Sequence, residues 1–204
     1  MANNRVGLAV MRIQPLHAGH CRILSKMAMA CDTAILGLGS AQKSREPHDP
    51  WTIEERMKMV KNVFGDRLKI VPIVDLGASA PAEWVSYLME KITKLGLREP
   101  TDYFTGSKFD AAWYRDHFAA DWEALEVADR NMDINAFARY IDNDGRIRRL
   151  HIIDRNGGSV PPATDIRTSL TLRNTDWMDW VPAVNYGIVE NNFPEEFKVP
   201  DIDQ

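Results

Sequence analysis

The chain has 204 residues, of which 45% are hydrophobic and 26% are charged, and its formal net charge is -4. That length suits one domain, or one domain with an extension, and it is long enough to bury a core without disulfides or structural metal. The composition excludes collagen, coiled coils, mucins and fully disordered proteins. The mild acidity argues against a protein that coats nucleic acid, because such domains carry a basic stripe. A small anionic ligand remains possible, since its site needs only local positive charge.

The cysteines and the N-terminus bear on the compartment. Cys21 and Cys31 form neither a disulfide framework nor a Cys-x-x-Cys pair, so we expect buried thiols. The apolar run near the N-terminus is too short for a signal peptide, and no stretch reaches the length needed to span a bilayer. We therefore expect a cytoplasmic protein that binds neither membranes nor nucleic acid.

The first 130 residues alternate strand-like and helix-like patterns. Buried strands are predicted at residues 6–11, 33–38, 68–74, 102–104 and 124–128. Helices are predicted at residues 19–31, 53–64, 81–95 and 109–118. Short connections between alternating strands and helices imply a parallel sheet with helices on both faces.

Single residues refine these elements. Thr52 and Glu55 have the spacing of a capping box at the start of the second helix. Pro72 predicts a bulge or an edge position for the third strand, because proline cannot donate a ladder hydrogen bond. In the third helix, the stripe that begins at Trp84 is expected to extend to Leu95.

The alternation ends after residue 130. Residues 137–141 and 147–153 flank the turn Asn143-Asp144-Gly145 and predict a β-hairpin. A helix is predicted from about Thr164 and another over residues 181–189, and an acidic tail follows. We expect a single domain over residues 1–190, a hairpin insertion over 131–153 and a tail over 191–204.

The strongest chemical signal is the segment between the first strand and the first helix, Arg-Ile-Gln-Pro-Leu-His-Ala-Gly-His at residues 12–20. It leaves the carboxyl end of a strand, where ligands bind in open α/β sheets. His17 and His20 face the same side, and Gly19 removes a side chain where a ligand can approach the backbone. A helix N-terminus offers free N–H groups and partial positive charge to a phosphate. We interpret the segment as a phosphate site formed by Arg12, two imidazoles and backbone amides.

Other interpretations of this segment were weighed. His-x-x-His can bind zinc, but no third ligand has convincing spacing. The histidines can also be structural, although two of them around a glycine after a buried strand make that less favoured. Gly37-Leu38-Gly39 lacks the third glycine of the dinucleotide fingerprint, and the sequence has no P-loop.

Residues 12–20 resemble the His-x-Gly-His signature of the nucleotidyltransferase superfamily, most of all the version in archaeal-type nicotinamide mononucleotide adenylyltransferases. That family usually has glycine before the arginine, where this chain has Met11. A second family signature, Ser/Thr-x-x-Arg at a late helix start, is matched by Thr164 to Arg167. Further similar stretches lie at residues 39–44, 50–56, 84–86 and 177–182, and at Asp75. The resemblance implies a Rossmann-like, doubly wound parallel sheet with a small C-terminal helical part.

The resemblance also implies a reaction, the transfer of an adenylyl group from ATP to nicotinamide mononucleotide to give NAD and pyrophosphate. The mononucleotide phosphate would attack the α-phosphorus directly and in line. Mg2+ would travel with the ATP phosphates, largely hydrated. A homo-oligomer is favoured by the same resemblance. The catalytic residues that it implies are Arg12, His17, His20 and Arg167.

Further contacts are implied for the substrates. Nucleotide or phosphate contacts are implied for Gln14, Gly19, Lys43, Arg45, Gly106, Ser107 and Thr164. Nicotinamide contacts are implied for Asp75 and Trp84. By pattern alone, Trp84 belongs to an apolar stripe, and Lys43 with Arg45 equally suits a solvated charge pair. Arg56 is expected to pair with a neighbouring glutamate on its helix.

Several other functions were considered. The acceptor can be nicotinate mononucleotide or pantetheine phosphate, or the reaction can be cytidylyl transfer. The late loop at Pro161-Pro162 and the segment around Trp84 disfavour the last two. A non-catalytic nucleotide sensor is disfavoured because both histidines and Arg167 are present. A fragment of a class I synthetase is disfavoured because no Lys-Met-Ser-Lys-Ser loop is recognisable.

Overall fold

The computed structural model describes residues 4–77, 81–118, 122–125, 134–153 and 160–200. The strands are β1 (Val6–Met11), β2 (Thr33–Leu38), β3 (Leu68–Pro72), β4 (Asp102–Thr105), β5 (Glu123–Leu125), β6 (Ile134–Ile141) and β7 (Ile147–Ile153). The helices are α1 (Ala18–Ala30), α2 (Ile53–Phe64), α3 (Pro81–Lys94), α4 (Lys108–Phe118), α5 (Ala163–Thr171) and α6 (Tyr186–Asn191). Short 3-10 helices lie at Gly65–Arg67, Asp176–Asp179, Ala183–Asn185 and Glu195–Phe197.

The strands form one sheet in the order β3-β2-β1-β4-β7-β6-β5. The strands β3, β2, β1, β4 and β7 are parallel to one another. Strand β6 pairs antiparallel with β7, and β5 pairs antiparallel with β6. Because β1 lies between β2 and β4, the chain winds outward in both directions from β1. The doubly wound prediction is therefore confirmed, and β3 occupies the edge position predicted from Pro72.

The predicted hairpin forms, but it is not an appendage of the sheet. β7 pairs with β4 in parallel, from Asp102 opposite Arg149 to Thr105 opposite Ile152. The hairpin thus supplies a central strand and makes the sheet mixed, where the alternating pattern predicted a parallel one. The predicted strand at residues 124–128 is seen as Glu123–Leu125, and residues 126–130 lie outside the described residues.

Two apolar clusters hold the layers together, one on each face of the sheet. On one face, α1, α2 and α5 pack through residues such as Leu24, Val60 and Leu170. On the other face, α3 and α4 pack through residues such as Leu88 and Tyr114. The capping box of α2 is present, since the Thr52 hydroxyl accepts from the Glu55 N–H and Glu55 accepts from the Thr52 N–H.

Some details of the predicted helices are wrong. Leu95 is 59% exposed, because α3 ends at Lys94 and the chain then turns at Gly96, whose φ is 71°. The predicted helix at 181–189 is a 3-10 turn followed by α6. Buried Asn185 fixes that junction, since its amide donates to the Met59 carbonyl at 3.0 Å.

Cys21 and Cys31 are free thiols and are half-buried, where the sequence predicts buried thiols. Burial raises the pKa of Cys21 to about 11 and that of Cys31 to about 12. Both thiols are therefore protonated at neutral pH, which disfavours a redox role. In the described ranges no helix is long and apolar enough to cross a membrane.

Candidate active site

A cavity of about 450 Å³ opens at the carboxyl ends of β1, β2 and β4. It lies where the strand order reverses, which is where ligands bind in doubly wound sheets. The structure brings many of the predicted site residues to its walls, although they come from distant parts of the sequence. Those that line it are Arg12, Gln14, His17, His20, Asp75, Trp84, Gly106 and Arg167.

The two histidines stand side by side at the N-terminus of α1. His17 is the N-cap residue, and its Nδ1 accepts a hydrogen bond from the Gly19 N–H at 3.1 Å. In the neutral ring the proton is therefore assigned to Nε2, which makes that atom a donor. The ring of His20 lies 3.9 Å from that of His17, centroid to centroid. Gly19 itself is buried in the first turn and serves this cap rather than the cavity wall.

Arg12 and Arg167 bring the positive charge of the site. The Arg12 side chain is exposed and makes no hydrogen bond or ion pair within the described part of the chain. Arg167 is only 9% exposed, and it donates to the Gln14 carbonyl at 2.8 Å and to the Thr164 hydroxyl at 3.2 Å. Burial lowers the pKa of Arg167, and the nearby charge of Arg12 lowers it further. Two guanidinium groups that repel each other favour a bound anion.

The predicted pairing of Arg56 with a glutamate of its own helix is wrong. Arg56 is fully buried and does not pair with a glutamate of its helix. Its guanidinium donates to the carbonyls of Arg12 at 2.8 Å, Gly39 at 2.8 Å and Ser40 at 3.1 Å. Burial lowers the pKa of Arg56. Arg56 thus ties together the ends of β1 and β2, and the available signal was a charge on the apolar face of a predicted helix.

Gln14 holds the loop after β1, and the backbone is strained in this loop and in the loop after β2. The Gln14 amide clamps the backbone of Trp51, donating to its carbonyl and accepting from its N–H, each at 3.1 Å. Ile13 has a φ of 55° and Ser40 a φ of 50°, which are uncommon for residues other than glycine. Such strained backbone concentrates at functional sites.

Asp75 forms a fixed carboxylate at the rim of the cavity. It accepts from the Ser40 hydroxyl at 3.0 Å and from the Gln42 amide at 3.2 Å. Lys43 lies 3.3 Å from the same carboxylate, so it stands beside the cavity without lining it. The pair places one negative and one positive group at this rim.

Arg45, Ser107 and Thr164 do not line the cavity. Arg45 pairs with Glu55 at 2.5 Å and donates to the Asn192 carbonyl at 2.7 Å, which favours a structural role. The Ser107 hydroxyl caps α4 by accepting from the Asp110 N–H at 3.1 Å. Thr164 is exposed at the first turn of α5, where its hydroxyl accepts from Arg167.

The opposite side of the cavity is aromatic. Trp84 of α3 and Trp113 of α4 meet edge to face, with ring centroids 5.3 Å apart and planes at 78°. Asp110 and Tyr114 of α4 also line the cavity. Asp110, Trp113 and Tyr114 were not among the predicted site residues, although their i, i+3, i+4 spacing directly after β4 was a usable signal.

Comparison with known proteins identifies the family. The cytidylyltransferase-like family model matches residues 12–143, which include the two histidines and the strands β2 to β6. The chain therefore belongs to the cytidylyltransferase-like family.

Within this family, the chain is similar to curated proteins that share one name. The chain is 38% identical over 81 residues to a nicotinamide-nucleotide adenylyltransferase of Methanolobus tindarius, covering 38% of this chain and 46% of that protein. It is 34% identical over 115 residues to one of Pyrococcus abyssi, covering 54% of this chain and 58% of that protein. The chain thus spans about half the length of the curated relatives that it matches.

Solved structures support the fold. A NadR protein in complex with NAD and AMP-PNP matches with a TM-score of 0.59 at 19% identity, over 89% of this chain and 46% of that one. A bifunctional NMN adenylyltransferase/ADP ribose pyrophosphatase from Francisella tularensis matches with a TM-score of 0.57 at 15% identity, over 93% and 53%. At these identities the likeness establishes the fold alone, and that fold is of nucleotidyltransferase type.

Proposed function

We propose that the protein transfers the adenylyl group of ATP to nicotinamide mononucleotide, giving NAD and pyrophosphate. The observation that carries this proposal is one cavity with basic groups on one side and an aromatic side opposite. Arg12, His17, His20 and Arg167 provide the basic groups, and Trp84 belongs to the aromatic side. The activity in the names of the curated relatives supports the same reaction.

For this reaction the protein mainly has to position the two substrates and stabilise negative charge on their phosphates. A phosphate oxygen of the mononucleotide attacks the α-phosphorus, a new P–O bond forms, and the bond to pyrophosphate breaks. The imidazoles of His17 and His20 and the guanidinium of Arg12 donate to the phosphate oxygens as negative charge shifts toward the leaving group. Fixing both phosphates in one cavity supplies the alignment that in-line attack requires.

The leaving pyrophosphate would lie near the start of α5. Arg167 holds its guanidinium there through the Gln14 carbonyl and the Thr164 hydroxyl, and arginine binds phosphate as a planar fork. The N–H groups of the first turn add partial positive charge. Lys43 reaches the rim and is a second cation for the phosphates if it leaves Asp75.

The metal that we expect is Mg2+. One structural neighbour, the Francisella tularensis protein, was solved with AMP and a manganese ion. Within the described ranges no group of three or more His, Cys, Asp or Glu side chains is arranged to hold a metal ion. Mg2+ carried by the nucleotide would keep most of its water ligands and would need few ligands from the protein. Bound to the phosphates of ATP, it would neutralise charge on the leaving group.

The acceptor and donor are tested together. Purified protein is incubated with ATP or CTP and with nicotinamide mononucleotide, nicotinate mononucleotide or pantetheine phosphate, and products are separated by chromatography. We expect NAD from ATP and nicotinamide mononucleotide as the fastest reaction. Faster turnover of another pair would reassign the reaction within the family, and nucleotide binding without any turnover would indicate a sensor. The cytoplasmic location stays a prediction. The homo-oligomer also stays a prediction, and light scattering of the purified protein tests it.

A further inference from the structure

The cavity is bounded by two walls that differ in charge. The basic wall consists of Arg12, His17, His20 and Arg167, from the β1–α1 loop, the first turn of α1 and α5. The aromatic wall consists of Trp84, Asp110, Trp113 and Tyr114, from α3 and α4. The helices behind the two walls pack in separate clusters on opposite faces of the sheet. A ligand that spans the cavity therefore meets positive charge at one end and aromatic rings at the other.

Trp113 gives the aromatic wall a second indole ring, set at a steep angle to that of Trp84. It stands at 78° to Trp84 at 5.3 Å, so the two indoles meet edge to face rather than stacking on each other. Both are half-buried and both line the cavity. A planar ligand ring can then stack on one indole and meet the edge of the other. Indole faces also attract cations, which favours a ring that carries positive charge.

Asp110 adds a negative charge to the same wall. It lies one helical turn before Trp113, so both side chains are on one face of α4. The Ser107 hydroxyl donates to its carboxylate at 2.8 Å, and within the described part of the chain Asp110 makes no ion pair. Asp75 at the rim differs in this respect, because Lys43 compensates its charge. The negative charge of the aromatic wall thus rests on Asp110.

From this juxtaposition we infer that Asp110 and Trp113 are specificity residues that select an acceptor with a cationic, oxidised pyridinium ring. The inference rests on the proposed function, because it concerns the acceptor of that reaction. The phosphate of the acceptor binds the basic wall while its ring charge is balanced at the aromatic wall. Reduced nicotinamide mononucleotide carries the same substituents, but its ring is neutral. Comparing the two forms as acceptors therefore measures how much the ring charge contributes to acceptor binding.

The experiment compares the oxidised and reduced mononucleotides as acceptors at saturating ATP. In the wild type we expect a higher kcat/KM for the oxidised form. In Asp110→Asn the ratio of the two kcat/KM values should fall by about threefold or more, the size of one partly solvated charge contact, mainly through KM of the oxidised form. Asp116→Asn, an exposed carboxylate on the same helix outside the cavity, is the matched control and should keep the wild-type ratio.

Trp113 is tested by a graded pair of variants. Trp113→Leu should lower the ratio, while Trp113→Phe keeps an aromatic face and should retain most of it. Equal ratios in the wild type, Asp110→Asn and Asp116→Asn would overturn the inference. Calorimetric titration with both mononucleotides measures the same preference without turnover. A preference that depends on Asp110 in binding, with no NAD formed, would retain this inference and reject the proposed reaction.

Discussion

Two of the residues that carry the proposed chemistry lie at the N-terminus of α1, and their positions follow from local geometry. His17 is fixed as a donor because its Nδ1 accepts from the Gly19 N–H. His20 follows one turn later, with its ring 3.9 Å from that of His17. The pair can therefore donate to neighbouring phosphate oxygens without any rearrangement of the backbone.

Removing one imidazole tests this role. His20→Ala should lower kcat by at least about tenfold while the fold persists, since the lost contact acts on charge in the transition state. Rates of NAD formation and thermal unfolding by circular dichroism measure the two effects. Met29→Ala is the control on the same helix, because Met29 is 87% exposed and does not line the cavity. Unchanged turnover in His20→Ala would remove this residue from the mechanism.

At the scale of elements, α2 acts as a brace for the site although it contributes no side chain to the cavity lining in the described ranges. Its Arg56 reaches across to the carbonyl groups at the ends of β1 and β2. The same two strand ends hold the left-handed residues Ile13 and Ser40. The brace therefore acts where the backbone is strained, and it sets the separation of the two strand ends.

Arg56→Met should lower the free energy of unfolding by about 2–4 kcal/mol, because several buried carbonyl groups lose their donor. Arg56→Lys should recover little of this loss, since an ammonium group cannot match the planar fork. Urea denaturation followed by tryptophan fluorescence gives both values. The exposed Lys58 of the same helix supplies the control, and Lys58→Met should change stability by no more than about 0.5 kcal/mol.

At the scale of the whole molecule, a buried charge network crosses the sheet behind the cavity. Asp102 of β4 is fully buried and lies 2.9 Å from Nε2 of His151 on β7. It also accepts from Arg5 and, at 2.8 Å, from the Thr101 hydroxyl. The His151 ring stacks on Phe104, which lines the cavity. The network thus links Arg5, directly before β1, to β4 and β7, and it reaches the wall of the site through Phe104.

Because of this network, the free energy of unfolding is expected to fall as the pH becomes acidic. Burial opposes ionisation of Asp102, but hydrogen bonds from His151, Arg5 and Thr101 outweigh it and lower its pKa to about 2. Since the ordinary value is 3.8, the stabilisation is present above about pH 4 and is lost as pH falls toward 2. The loss amounts to about 2 kcal/mol. In Asp102→Asn, unfolding followed from pH 5 to 2 should lack this loss, and an unchanged pH slope would contradict the assignment.

The sequence predicted the alternating strands and helices and the part of the basic wall at residues 12–20, because both depend on local patterns. Buried apolar runs, the capping box at Thr52 and the loop at residues 12–20 each fix structure within a few neighbouring residues. Contacts between distant segments were not predicted. Arg56 was assigned to a neighbouring glutamate, and nothing in the spacing showed that β7 pairs with β4. Such contacts depend on how the layers pack, which periodicity does not encode.

The proposed reaction joins the adenylyl group of ATP to nicotinamide mononucleotide in this cavity. Phosphorus NMR of purified protein with ATP, Mg2+ and the mononucleotide follows each phosphorus atom through the reaction. We predict that the mononucleotide and ATP signals decay together while the pyrophosphate bridge of NAD and free pyrophosphate appear in equal amounts. Persistence of both substrates, or release of AMP or ADP from ATP without formation of that bridge, would rule out the proposed reaction.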